Sequence, residues 1–386
     1  MLRTFVSAYP WDLIDEGLES GLDRLQGEVG IAGLSVWAAC PPVTELRART
    51  LEPRIFRTRG GALFRPDEAA YATTRFKPVA SDWVKGPAHD PMTRIAAACT
   101  ERNIELRILV SAAATGRLAQ RYPDSACKNL FGAESQISLC LANLDVQEYL
   151  RCLIIDLVTT YRPAGVVLTD FVIAWYEAIS LELQVPVALA AAEESALSTC
   201  FCESCHQRAG LVGVDVPRAM HALNALLQQA LGGGRTGSGR LNDLLAENVD
   251  LRAYFQWRTA ELTSLLRRLT ESCARDLLLV RTLMAHERSQ QDGLELSIPA
   301  AVITSIDAAG QLPAAACPGA LRSEVGLSAA FIKAADGAEL VGAFVQAGEQ
   351  GMSGVQLDHL GILTDPMLTS VKQAVRFARR SRVDQP

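Results

Sequence analysis

Four thiols and one carboxylate hold the densest chemistry in this chain. Cys200-Phe201-Cys202-Glu203-Ser204-Cys205 places three soft ligands in one short loop, and a structural zinc site closes on four in a tetrahedron. Cys140 is the best candidate for the fourth, because a ligand from across the next strand would tie a long excursion back to the body of the fold. His206 adjoins the cluster and points away. Between these thiols runs Gly165-Val166-Val167-Leu168-Thr169-Asp170-Phe171, an apolar strand that closes on an acid. Two plainer readings stand beside these. The cysteines would be unliganded buried thiols, and Asp170 a cap or salt-bridge partner.

Other carboxylates sit where strands are expected to end. Asp307 follows Ala301–Ile306, Asp358 ends Gly354–Asp358, and Asp12 and Asp15 follow the first strand. Sugar hydrolysis uses two carboxyl groups flanking the glycosidic bond, so Asp170 with Asp307 or Asp358 would supply a pair. His359 follows a strand directly and could transfer a proton at neutral pH. Tyr9, Trp11 and Trp37 would offer aromatic faces to sugar rings, with Asp12 beside them. Their bland alternatives are a polar rim for Asp358 and His359, and a closed core top for the aromatics. Arg107 and Lys333 would meet an acidic substituent or pair with internal carboxylates. No serine elbow, H-E-x-x-H, phosphate loop or EF-hand occurs.

The elements that must carry these residues follow a βα rhythm. Strands are expected at 2–8, 33–39, 104–110, 165–171, 277–284, 301–306, 325–332 and 354–358. Helices are expected at 14–26, 90–102, 145–160 with Asp145 as N-cap, 337–349 and 366–380. Residues 41–87 show no strong period. The pattern fits a (β/α)8 TIM barrel, a single domain over 1–386, with a long helical insertion at 172–275 carrying the cysteine cluster; catalytic groups would then gather at the C-terminal strand ends. A doubly wound sheet is the runner-up, and it lacks a glycine-rich turn after the first strand.

A net charge of −6 with scattered basic residues excludes a nucleic-acid surface. No apolar run is long enough to span a bilayer, and nothing at the N-terminus marks export. Ten cysteines therefore read as thiols or ligands in a reducing cytoplasm. Tyr254, Phe255 and Trp257, in close succession on one helix, suggest a surface for self-association.

The Cys-Leu-Ala-Asn context of Cys140, the following Asp145-Val146-Gln147-Glu148-Tyr149, the strand ending Thr169-Asp170 and the C-x-C-x-x-C loop together resemble part of the glycoside hydrolase family 42 β-galactosidases. The chain also resembles uncharacterised glycosyl-hydrolase-like barrels, through Tyr9-Pro10-Trp11-Asp12-Leu13 and Lys128-Asn129-Leu130-Phe131-Gly132 as well as the cysteines. That resemblance implies a barrel, a structural Zn2+ on Cys140, Cys200, Cys202 and Cys205, and a glycoside hydrolase acting on a small-molecule or oligosaccharide substrate. The family's acid/base is the glutamate of an Asn-Glu pair at the end of strand four, where this chain has Thr169-Asp170. Two rivals follow from that departure: an isomerase or lyase on a small polar metabolite using Asp170 and His359, and a non-catalytic carbohydrate-binding barrel.

Overall fold

The computed structural model describes residues 2–50, 54–85, 90–175, 184–233, 240–281, 294–306 and 319–380. Eight parallel strands organise them: β1 (Arg3–Ala8), β2 (Gly33–Cys40), β3 (Glu105–Ser111), β4 (Gly165–Thr169), β5 (Asp276–Arg281), β6 (Ala301–Ile306), β7 (Ser323–Leu327) and β8 (Gly354–Leu357). Each pairs in parallel with the next, and β1 pairs with both β2 and β8, which closes the barrel. Both faces of such strands are covered, so they read as nearly unbroken apolar runs. One row, including Val6, Leu34, Ile108, Val166, Leu279 and Val355, packs outward into the main core.

The inner row fills the barrel in layers. At the N-terminal end the Arg107 guanidinium lies 3.4 Å over the Phe5 ring and grips Glu324 with two bonds of 2.7 and 2.9 Å. Arg107 therefore pairs with an internal carboxylate and does not reach a substrate. Gly33 makes room for Phe5, whose ring would lie 2.8 Å from an added Cβ. Above them Ser35 donates to Gln356 at 2.9 Å, and Leu109, Val167, Leu278 and Ile303 form an apolar plug under Trp37.

Because the Arg107 and Glu324 side chains are only 5% and 4% exposed, removing Arg107 leaves Glu324 charged and buried, and removing Glu324 leaves Arg107 with only its longer 3.2 Å contact to Glu105, which Arg3 shares. Glu324→Leu is expected to cost about 3–5 kcal/mol in urea unfolding, and Arg107→Met with Glu324→Leu far less than the sum of the two single changes.

Several boundaries differ from the sequence expectations. The expected helix 14–26 is broken: Gly17, at φ +92°, separates Pro10–Asp15 from Leu18–Asp23, and a π turn, Arg24–Val29, follows. The N-cap of helix Leu144–Tyr161 is Asn143, which accepts from the Asp145 and Val146 amides, so Asp145 lies in the first turn. Strand β7 stops at Leu327 because Ser328 caps a helix, Ala329–Ala334, and Lys333 sits on that helix and not at a strand end. Strand β5 runs to Arg281, and Met284 lies outside the described residues.

Between β4 and β5 the insertion folds as helices Ala191–Ser198, Glu203–Leu211, Val216–Leu231, Arg240–Glu247 and Val249–Ser272. Tyr254, Phe255 and Trp257 are buried within the chain at 0, 9 and 9% exposure. This overturns their use as evidence for self-association, since packing inside the insertion already covers them. The aperiodic stretch after β2 holds an antiparallel hairpin, Val43–Leu46 with Ile55–Thr58, and a short strand, Gly61–Ala62, paired to the end of β2. Among the described residues no helix is long and apolar enough to cross a membrane.

Candidate active site at the barrel mouth

The C-terminal ends of the barrel strands and the turns after them carry most of the expected residues. Asp170 stands at the end of β4 with φ +51°, a left-handed backbone that L residues other than Asn and Asp seldom adopt. That turn carries its carboxylate back over the inner row, where the Ser111 hydroxyl donates to Oδ2 at 2.5 Å and the Thr169 hydroxyl at 2.9 Å. Ser111 and Thr169 are direct neighbours across β3 and β4. Four strands further round, on the opposite wall, Asp358 follows β8, is exposed, and accepts from the Ser7 hydroxyl at 2.5 Å. Asp307 lies outside the described residues.

The wall made by β1, β2 and β8 is aromatic. Tyr9 stacks on Trp11 at 4.4 Å and on Trp37 at 5.7 Å, and Trp11 stacks on Phe56 of the hairpin at 4.3 Å. Trp37 keeps some exposure, whereas Trp11 and Asp12 are sealed at 0%. The expectation that Trp11 and Asp12 touch a substrate is therefore corrected: they act on the opening through neighbours. Asp12 Oδ2 caps its helix by accepting from the Tyr9 amide at 2.9 Å. Its Oδ1 lies where a side chain at Gly361 would intrude, 2.3 Å from an added Cβ. Burial, and then the nearby Glu45, push the Asp12 carboxyl up to about 7.

Glu45 is the residue that sequence reasoning missed. It projects from the hairpin into this wall, accepts from Trp11 Nε1 at 2.7 Å, and lies 2.7 Å from His359 Nε2 through its other oxygen. Burial works against the His359 proton, but the Glu45 hydrogen bond, followed by Asp358 and Asp12, lifts the imidazole above its usual range. The available signal was Val43-Thr44-Glu45-Leu46, β-branched and alternating, facing Ile55-Phe56-Arg57-Thr58. A cavity of about 690 Å³ lined by Phe64, Arg65, Tyr71, Lys77 and Val84 holds none of the mouth carboxylates.

The cysteine cluster assembles as expected. Cys140, Cys200, Cys202 and Cys205 are buried, with their sulfur atoms all within 4.8 Å of one another, close enough to hold a metal ion. Cys140 and Cys205 are 3.6 Å apart, and Cys205 and Cys200 3.9 Å. Burial opposes ionisation of Cys200, yet hydrogen bonds from Cys127 and the three other cluster thiols bring it well below the usual thiol range. Cys127, also missed, lies on the hairpin arm paired to the one that precedes Cys140 and contacts Cys140 and Cys200.

This loop also braces the strand-four acid. Thr199 bridges Ala174, the Trp175 amide donates to the Ser198 carbonyl at 2.7 Å, and the Ser138 hydroxyl donates to the Ala174 carbonyl. The chain leaving Asp170 thus runs straight into the backbone that presents Cys200.

No family model and no curated protein matches the sequence. Solved structures do match the fold. The catalytic domain of β-amylase from Paenibacillus polymyxa aligns over 97% of both chains at 10% identity and TM-score 0.57. The PgaB (BpsB) glycoside hydrolase domain from Bordetella bronchiseptica aligns over 98% of both at 11% identity and TM-score 0.56. The β-galactosidase from the psychrophilic Marinomonas ef1 aligns over 99% of this chain and 60% of its own at 13% identity and TM-score 0.54. At such identities the likeness speaks to architecture, and the chain is a (β/α)8 barrel of the kind these glycoside hydrolases share.

Proposed function

We propose that this barrel is a glycoside hydrolase-like enzyme acting on a carbohydrate or glycoside at its mouth, with Asp170 as the central reacting carboxylate. The observation that carries the reading is the left-handed turn at Asp170, which swings an acid on to the inner row and locks it with two hydroxyls. Unusual backbone held by specific side-chain contacts is concentrated at functional sites. The partner carboxylate in this reading is Asp358, or Asp307, which lies outside the described residues, with His359 available for proton transfer. The resemblance to family 42 β-galactosidases and the glycoside hydrolase neighbours in fold support the substrate class, and fold alone does not fix it.

The four-thiol site is proposed to hold zinc. A tetrahedron with bonds of about 2.3 Å has sulfur–sulfur edges of about 3.8 Å, and the two separations of 3.6 and 3.9 Å bracket that edge. All nine cysteines among the described residues are free thiols, which suits a reducing cytoplasm.

A panel of aryl and oligosaccharide glycosides, followed by release of reducing sugar, tests the hydrolase reading. Turnover of at least one member is expected, and the anomer formed first separates inverting from retaining chemistry. A second reading, isomerase or lyase chemistry on a small polar metabolite, is favoured by the His359–Glu45 contact, which builds a proton-transfer group beside the mouth. A product that retains every atom of its substrate would select it over hydrolysis. Sugar binding without turnover would leave a non-catalytic carbohydrate-binding barrel.

A further inference from the structure

His359 is gripped from several sides. Its Nε2 meets Glu45 on the hairpin; Asp12 acts on it from the helix after β1; Asp358 precedes it in the chain. The His359 ring packs edge-on against Tyr9 at 5.1 Å. Arg47, a cation that acts on Asp12 beside His359, is engaged by Asp15 at 2.9 Å and by the Trp11 carbonyl at 3.0 Å. Nε2 is committed to a Glu45 side chain that is 3% exposed, and the His359 side chain keeps 16% of its surface, so a ligand at this ring would be met through its other nitrogen, Nδ1. Next to it stands the exposed Asp358, whose Oδ1 accepts from the Ser7 hydroxyl.

A donor and an acceptor on successive residues, beside the stacked Tyr9 and Trp37 rings, match the two polar atoms of adjacent sugar hydroxyls. One hydroxyl takes the imidazole N–H, the other gives its proton to the carboxylate, and the apolar face of the ring lies on the exposed part of Trp37. We infer that Glu45 is a positioning residue and that the His359–Asp358 pair it orients is a binding subsite for the vicinal hydroxyls of a pyranose. This rests on the carbohydrate reading above and refines it: Asp358 moves from reaction to recognition.

D-galactose, D-glucose and L-fucose serve as probes, titrated against the full chain and followed by tryptophan fluorescence and saturation-transfer NMR. At least one is expected to bind near pH 6, and Glu45→Gln and Asp358→Asn each to weaken it about tenfold or more. A deoxy analogue lacking either of the paired hydroxyls is expected to lose as much, and Glu45→Asp to restore part of the loss. Because the imidazolium exists below its raised pKa, binding falls as pH rises through that value. In Glu45→Gln the fall moves to lower pH, a shift that a merely structural role for Glu45 would not give. Near-ultraviolet circular dichroism verifies that each variant is folded.

Binding indifferent to Glu45→Gln in a folded variant, binding by no probe below about 0.1 M, or binding abolished by a chelator that leaves the four-thiol zinc in place would each overturn the subsite. Sugar binding without turnover of any glycoside leaves the subsite and overturns the hydrolase. Turnover whose KM ignores Glu45→Gln does the reverse.

Discussion

Asp170→Asn is expected to lower turnover on an active glycoside by about a thousandfold or more, near 4 kcal/mol of barrel-mouth catalysis, while the barrel stays folded. Asparagine keeps an oxygen for the Ser111 and Thr169 hydroxyls and tolerates the left-handed backbone that this position requires. The change therefore removes the ionisable group and little else, and thermal unfolding is expected to move by less than about 0.5 kcal/mol. Single-turnover kinetics with circular dichroism checks both halves. Turnover that survives in Asp170→Asn would place the reacting acid elsewhere on the rim.

Protein purified without chelators is expected to carry one zinc per chain, and Cys200→Ser to lose it. Substoichiometric zinc in well-folded protein would end the zinc assignment. The ion closes a long loop, since Cys140 and Cys205 are 65 residues apart. A cross-link over that span restricts the unfolded chain by about 4 kcal/mol, so its loss is expected to lower the Tm by roughly 5 °C. Activity should fall with it, because the segment leaving Asp170 is pinned at Ala174 and Trp175 to the backbone of Ser198 and Thr199. Metal analysis, calorimetry and turnover on one preparation separate the stability effect from the catalytic one.

The barrel was legible because its strands are buried on both sides and read as continuous apolar runs, and Cys140, Cys200, Cys202 and Cys205 were legible because thiols so spaced have few other uses. Glu45 was not, since its hairpin arm is four residues long and takes its shape from Trp11 and His359, partners far away in the sequence. Cys127 escaped because hairpin pairing, and not spacing, brings it to the other thiols. The end of β7 was misplaced because Phe331 and Ile332 look like strand residues, and only the Ser328 cap reveals the helix they belong to. An internal carboxylate was one of the two partners open to Arg107, but its match with Glu324 depends on barrel closure, which no local pattern encodes.

The inverted turn at the tip of β4 also restricts how this barrel can be re-engineered. Lengthening the acid by one methylene would put glutamate into a conformation that disfavours it by on the order of 1 kcal/mol, and would pull the carboxylate off its two hydroxyl anchors. A designer seeking a different reach across the opening would do better to relocate the charge to a neighbouring position with ordinary geometry, such as Thr169, than to stretch the side chain already there.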